Sequence, residues 1–292
     1  MLSDNDIIYQ NHAGGFDPDL IYEPQGNVRW RDTALTVETV QLYEAMSFLV
    51  WRYGQFFNTH VTLSGAVMGF ADHRSFAELI PVWNKEMARW LAVSNEQPRK
   101  RWRKRAINAT PQQHLWMYTL EHGRLQGIHA HQLCIVPKTQ LKAFEEHTRH
   151  WWSRQIHWDL SPSAIEVKHY GNILPENQFQ RQVAWFQYIV KSTRRDFGIA
   201  DTQGLRHSFE EIFKLEPHWR TGPVYAPRLY GICRALQPTA RSTPVCNGYE
   251  GERFESMLDQ ERFSEVYSGW EIKAWERRQR ARSIARLQTL AV

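Results

Sequence analysis

Cysteine is scarce in this chain: Cys134, Cys233 and Cys246 stand far apart among 292 residues, with no Cys-x-x-Cys pair. That spacing excludes a disulfide framework and a zinc ribbon, and it suits a reducing compartment. No apolar run approaches the length of a membrane span, so no membrane association is expected. The opening stretch, MLSDNDIIYQNHAGGFDPDL, is acidic and polar and lacks the basic-then-apolar layout of a signal peptide. A cytoplasmic location is the resulting expectation. The phosphate-cradling pattern Gly-x-x-x-x-Gly-Lys-Ser/Thr is missing too, so no nucleotide cofactor is expected. Internal repeats and low-complexity tracts are absent, which excludes solenoids and fibrous architectures.

What is present is a globular composition, 42% hydrophobic and 23% charged, in a length that allows one large domain or a domain with an appendage. The net charge is +5, which permits a polyanionic partner without requiring one. The 13 Trp are unusual. Most are expected in cores, and exposed ones would be able to stack on bases.

The most informative stretch is 115–136, LWMYTLEHGRLQGIHAHQLCIV. Two apolar runs flank a turn with a glycine at each end, which predicts a β-hairpin. Alternation along a strand puts His129 and His131 on one face. A hairpin centred on Leu125 sets Glu121 opposite His129 and Thr119 opposite His131. Two imidazoles and a carboxylate on one rigid patch make a three-ligand site with open positions, suited to a divalent metal. The competing reading is two packed strand histidines. With 13 His in the chain, chance alone supplies roughly half an H-x-H.

Periodicity orders the rest. An irregular arm over 1–33 precedes a short helix over 35–51. A strand follows over 56–65, where His60 reads as an ordinary strand residue and an approach to the metal site is the alternative. A helix over 73–93 carries Pro81, which suggests a kink or a later start. The run 98–106, PRKRWRKRA, is either a solvated surface or a phosphate-contacting segment with Trp102 as a stacking platform. After the hairpin come a helix over 138–156 with Thr139 as N-cap, a strand over 163–171 and a helix over 177–198. The order β-α-β-β-α-β predicts an α+β, ferredoxin-like (RRM-like) antiparallel sheet of four or five strands, with helices on one face. The other face is then open to metal ligands. Beyond 198 lie a short helix over 207–215, Pro- and Gly-rich loops over 218–248 with one short strand, and a mainly helical extension over 252–290. The basic second half of that extension carries Arg277, Arg278, Arg280, Arg282 and Arg286. DNA contact is the expectation there, with solvation or a protein partner as alternatives.

Within the last helix of the sheet domain, Tyr188 and Lys191 (YIVK) stand three apart on one face. Three ordered stretches then resemble the HUH endonucleases, and specifically single-tyrosine rolling-circle replication initiators. FFNTHVTLSG is similar to the first motif, GIHAHQLCIVP to the His-hydrophobic-His strand, and YIVK to the tyrosine helix. The resemblance covers about 56–195 and implies an HUH nuclease domain over 51–200. An N-terminal arm and helix would occupy 1–50, and a C-terminal extension 201–292.

By that resemblance Glu121, His129 and His131 hold Mg²⁺ or Mn²⁺, Tyr188 attacks a DNA phosphate, and Lys191 contacts the phosphate or steadies the phenolate. The implied activity is sequence-specific nicking and rejoining of single-stranded origin DNA through a 5′-phosphotyrosine bond. This would initiate rolling-circle replication of a plasmid or phage, with a host helicase and polymerase as partners. Tyr170 is the backup nucleophile. Alternatives are a relaxase or transposase of a mobile element, an amidohydrolase-type metal enzyme, for which the strands are too few, and a non-catalytic nucleic-acid-binding module.

Overall fold

The computed structural model of the chain describes residues 35, 37–101, 113–123, 126–169, 175–193, 198–200, 203–215, 221–242 and 254. In chain order the elements are α1 (Val37–Tyr53), β1 (Thr59–Ser64), α2 (His73–Arg101), β2 (Trp116–Gly123), β3 (Gly127–Cys134), α3 (Leu141–Ile156), β4 (Ile165–His169), α4 (Pro175–Ile189), β5 (Gly198–Ala200), β6 (Arg206–Ser208), α5 (Phe209–Phe213), β7 (Thr221–Gly222), β8 (Tyr230–Ile232) and α6 (Pro238–Arg241). The class is α+β. No helix among the described residues is long and apolar enough to cross a membrane. The arm over 1–33 lies outside the described residues, as does the helical extension over 252–290 apart from Phe254.

Contacts group the described residues into two units. One draws on 58–171 and 220–231, the other on 34–57, 172–219 and 232–292.

The first unit runs β1-α2-β2-β3-α3-β4, with the strands side by side in the order β4-β1-β3-β2. Each of these three pairings is antiparallel. The arrangement is consistent with the ferredoxin-like sheet expected from the sequence. It is larger than expected, because 218–248 supplies two short strands and not one. β7 and β8 both pair with the outer edge of β2 and bring the sheet to six strands. They approach closely: a Cβ on Gly222 would come within 2.9 Å of His122 Nδ1, and one on Gly231 would collide with the Tyr118 ring.

Paired residues share a face, so the register sorts the side chains. Val61, Leu63, Leu120, Ile128, Ala130 and Ile165 are buried on one side. There α2 meets the sheet through a buried amide pair, in which Asn84 and Gln132 exchange hydrogen bonds of 2.8 and 3.0 Å. α3 packs on α2, with Trp152 6.4 Å from Trp83 and 5.8 Å from Phe76 between ring centroids. Fully burying such side chains stabilises by about 1.5–3 kcal/mol each. The opposite face carries His60, Thr62, Thr119, Glu121, His129 and His131.

Three elements depart from the expected ones. α2 starts at His73 and runs through Pro81 without interruption, with Pro81 on the exposed side of the helix. Its apolar stripe, Phe76, Ile80, Trp83, Met87 and Leu91, is fully buried. Thr139 is not the N-cap of α3. It lies in a 3-10 turn, Lys138–Gln140, closed by a bond from the Gln140 N–H to the Pro137 carbonyl. α4 ends at Ile189 and not near 198, since Thr193 turns the chain back: its N–H and its hydroxyl both donate to the Val190 carbonyl, at 2.9 and 2.6 Å. Gly198 then opens β5 instead of closing a helix.

The second unit is mainly helical. Tyr43 of α1 packs against Phe186 of α4 and Phe213 of α5 at centroid distances of 5.7 and 5.3 Å. Val50, Phe56 and Phe179 form a second buried cluster with Val183 packed on it. Buried Arg241 of α6 donates to the Gln41 side chain at 2.6 Å and lies 4.0 Å from Glu44, so its charge is compensated. α5 begins in a full capping box, Ser208 with Glu211.

Candidate metal centre

The hairpin of β2 and β3 is the base of the site. Gly127 has φ +63°, the left-handed conformation that a short hairpin turn demands and glycine adopts without strain. That turn fixes the register: Glu121 stands opposite His129 and Thr119 opposite His131, as the sequence predicts. All four side chains are buried, Glu121 at 4% exposure and each histidine at 2%.

A hydrogen bond defines which nitrogen His129 offers. His129 Nδ1 lies 2.9 Å from the Gly127 carbonyl, which only accepts, so Nδ1 carries the proton and Nε2 presents its lone pair. His129 Nε2 is 3.8 Å from Glu121 Oε2, and His131 Nε2 is 3.7 Å from the same oxygen. Both distances exceed a hydrogen bond. The three donor atoms lie within 4.8 Å of one another. Donors about 2.0–2.2 Å from a shared ion would stand roughly 3–3.5 Å apart, so a small inward movement closes the set on a cation.

A buried carboxylate beside two imidazole Nε2 atoms is a convergence of groups able to donate electron pairs to a cation. The site can therefore hold a metal ion, with Glu121, His129 and His131 as ligands. Three protein ligands leave coordination positions for water or a substrate oxygen.

Two β1 residues reach the site from the other side of β3. Thr62 stands opposite His131 in the register, and its Oγ1 lies 3.3 Å from His131 Nδ1. His60 Nε2 is also 3.3 Å from that nitrogen, with the two rings 5.4 Å apart. His60 is thus no ordinary strand residue. Thr62 was not singled out by the sequence; alternation puts it on the face of His60, but only the pairing of β1 with β3 sets it beside His131.

The remaining candidates fall elsewhere. Tyr188, the penultimate residue of α4, belongs to the second unit and is 46% exposed. Lys191 lies just past the helix end, and its ammonium sits 3.8 Å from the Tyr188 ring centroid, a cation–π contact. Tyr170, Trp102 and the C-terminal arginines lie outside the described residues.

Histidines on the helix side of the sheet have different surroundings. His122 Nδ1 donates to the Pro223 carbonyl at 3.0 Å, and burial lowers its pKa. His73 Nδ1 accepts the Tyr225 N–H at 3.1 Å, and burial, helped by nearby His122, pushes its pKa down to about 3. Compared with known proteins, the chain matches no family model, no curated protein and no solved structure.

Proposed function

We propose that the protein is a metal-dependent DNA-nicking and strand-rejoining endonuclease of the HUH type, acting on single-stranded origin DNA to initiate rolling-circle replication. The observation that carries this reading is the buried Glu121, His129 and His131 set on the sheet face opposite the helices. It coincides with the ordered motifs in the sequence, and the Tyr188–Lys191 contact adds a phenol beside a fixed positive charge.

In this reading Glu121, His129 and His131 hold Mg²⁺ or Mn²⁺. The bound cation supplies Lewis-acid polarisation of the scissile phosphate. The Tyr188 oxygen forms a bond to phosphorus while the bond to the 3′ oxygen breaks. The phenol proton passes to solvent, and the departing oxygen gains one as a 3′ hydroxyl that primes a polymerase. The 5′ phosphate stays on Tyr188, so its bond energy is kept and rejoining needs no nucleotide. Lys191 brings positive charge to the phosphate oxygens. Unwinding falls to a host helicase. Two imidazoles in the donor set favour Mn²⁺ over Mg²⁺ in affinity.

The test is cleavage of short single-stranded oligonucleotides from the flanking DNA, with Mn²⁺ and with EDTA. A denaturant-resistant protein–DNA adduct is expected with Mn²⁺ and is lost with EDTA or with Tyr188→Phe. An adduct that survives Tyr188→Phe and disappears with Tyr170→Phe would move the nucleophile. Tight binding with no adduct on any strand would replace the enzyme by a binding module.

A further inference from the structure

The two metal-facing histidines are steadied in unlike ways. The Nδ1–H of His129 is held by the Gly127 carbonyl, a main-chain acceptor of its own hairpin. The Nδ1 of His131 instead faces side chains of β1, those of His60 and Thr62, which stand 71 and 69 residues away in sequence and are brought alongside by the tertiary register.

We infer that His60 is the positioning residue of the metal centre, accepting the Nδ1–H of His131 and so holding that imidazole in the tautomer whose Nε2 is free to bind the ion. The inference rests on the metal-centre reading above and adds a residue to it. The chemistry is simple: a neutral imidazole has one N–H, and only the nitrogen without it can bind a cation. A ligand histidine whose far nitrogen finds no acceptor can place its proton on Nε2 and lose its affinity for the ion.

His60 Nε2 lies at 3.3 Å from His131 Nδ1, and the ring is buried at 4% exposure. To accept, His60 must carry its own proton on Nδ1, so the pair forms a directional chain from β1 through His131 to the ion site. Thr62 Oγ1 lies at the same 3.3 Å and shares the hydrogen. Thr62 is only half-buried, where water can replace its hydroxyl, whereas the His60 imidazole is buried.

The experiment measures Mn²⁺ binding to the full chain by titration calorimetry, for the natural protein, His60→Ala, His60→Gln and Thr62→Val. The tautomer of His131 is read in metal-free protein from ¹⁵N imidazole shifts. His60→Ala is expected to weaken Mn²⁺ about 10- to 100-fold and to give His131 a mixture of tautomers. His60→Gln, whose amide oxygen reaches as far as the imidazole Nε2, is expected to stay within about threefold of the natural protein, with Thr62→Val between the two.

Equal Mn²⁺ affinity in the natural protein and His60→Ala overturns the inference and leaves the metal centre standing. Loss in Thr62→Val alone overturns it in favour of the threonine. Should His60→Ala fail to fold, the natural protein decides: His131 protonated on Nε2 without metal overturns the inference. A natural protein that binds no divalent ion overturns both the metal centre and the inference.

Discussion

Both faces of the first unit's sheet bury histidines, and they use them in opposite ways. Toward the helices, His73, His114 and His122 are filled into hydrogen-bonding gaps: they meet a backbone N–H, an amide oxygen and a backbone carbonyl. Asn84 spends its amide hydrogens on Ile80 and Gln132, so its oxygen must accept, and His114 donates from Nε2. Burial pushes the His114 pKa down to about 3, which keeps the ring neutral. On the other face His129 and His131 are no less buried, yet they turn Nε2 toward a carboxylate. Burial does not distinguish packing from ligation. The partner of the second nitrogen does.

The sharpest way to break this comparison is to remove a ligand. Glu121→Ala or His131→Ala should lower Mn²⁺ affinity by more than about 100-fold in calorimetry, while His114→Gln should leave it within about twofold. Comparable losses from both faces would erase the distinction. Next in size is Asn84→Leu, which strands His114 and Gln132 in the helix-side network. It should cost about 1–3 kcal/mol in urea unfolding, with Mn²⁺ affinity of the folded protein unchanged.

The smallest effect at neutral pH belongs to His114→Gln, and its signature is pH dependence. The folded pKa of His114 lies below the unfolded value, so the unfolded chain binds more protons in acid. Its contribution is complete above about pH 6.5 and is lost as pH falls toward 3. Between pH 6 and 4 the variant should lose up to about 1.4 kcal/mol per pH unit of the natural protein's slope, measured without metal. An unchanged slope would mean that His114 is protonated in the folded state.

The sequence made some of this legible because the interactions are local. The β2–β3 register follows from one turn and its glycines, so Glu121 opposite His129 was readable from the sequence. The order of strands and helices was readable from periodicity. The contact of His60 and Thr62 with His131 was not, since it depends on how β1 slides along β3, a non-local choice that no short pattern records. Pro81 pointed to a kink or a later start, whereas α2 already begins at His73 and runs through it. The end of α4 was hidden because Ser192 and Thr193 fit a helical pattern, while the Thr193 N–H and hydroxyl close a turn on the Val190 carbonyl.

The strip that carries β7 and β8 also has a bearing on how molecules of this protein meet each other. An uncovered strand edge is a growth front on which a second chain can lay down another strand. Here one front is capped from within the chain, along the strand that holds Glu121. The opposite end of the order is β4, a five-residue strand that presents Glu166 and Lys168 to solvent, a charged stop. The cap seats through two slots with no room for a methyl group, at Gly222 and Gly231. Added bulk there would unseat the cap and reopen the front, turning a self-terminated sheet into a seed for aggregation.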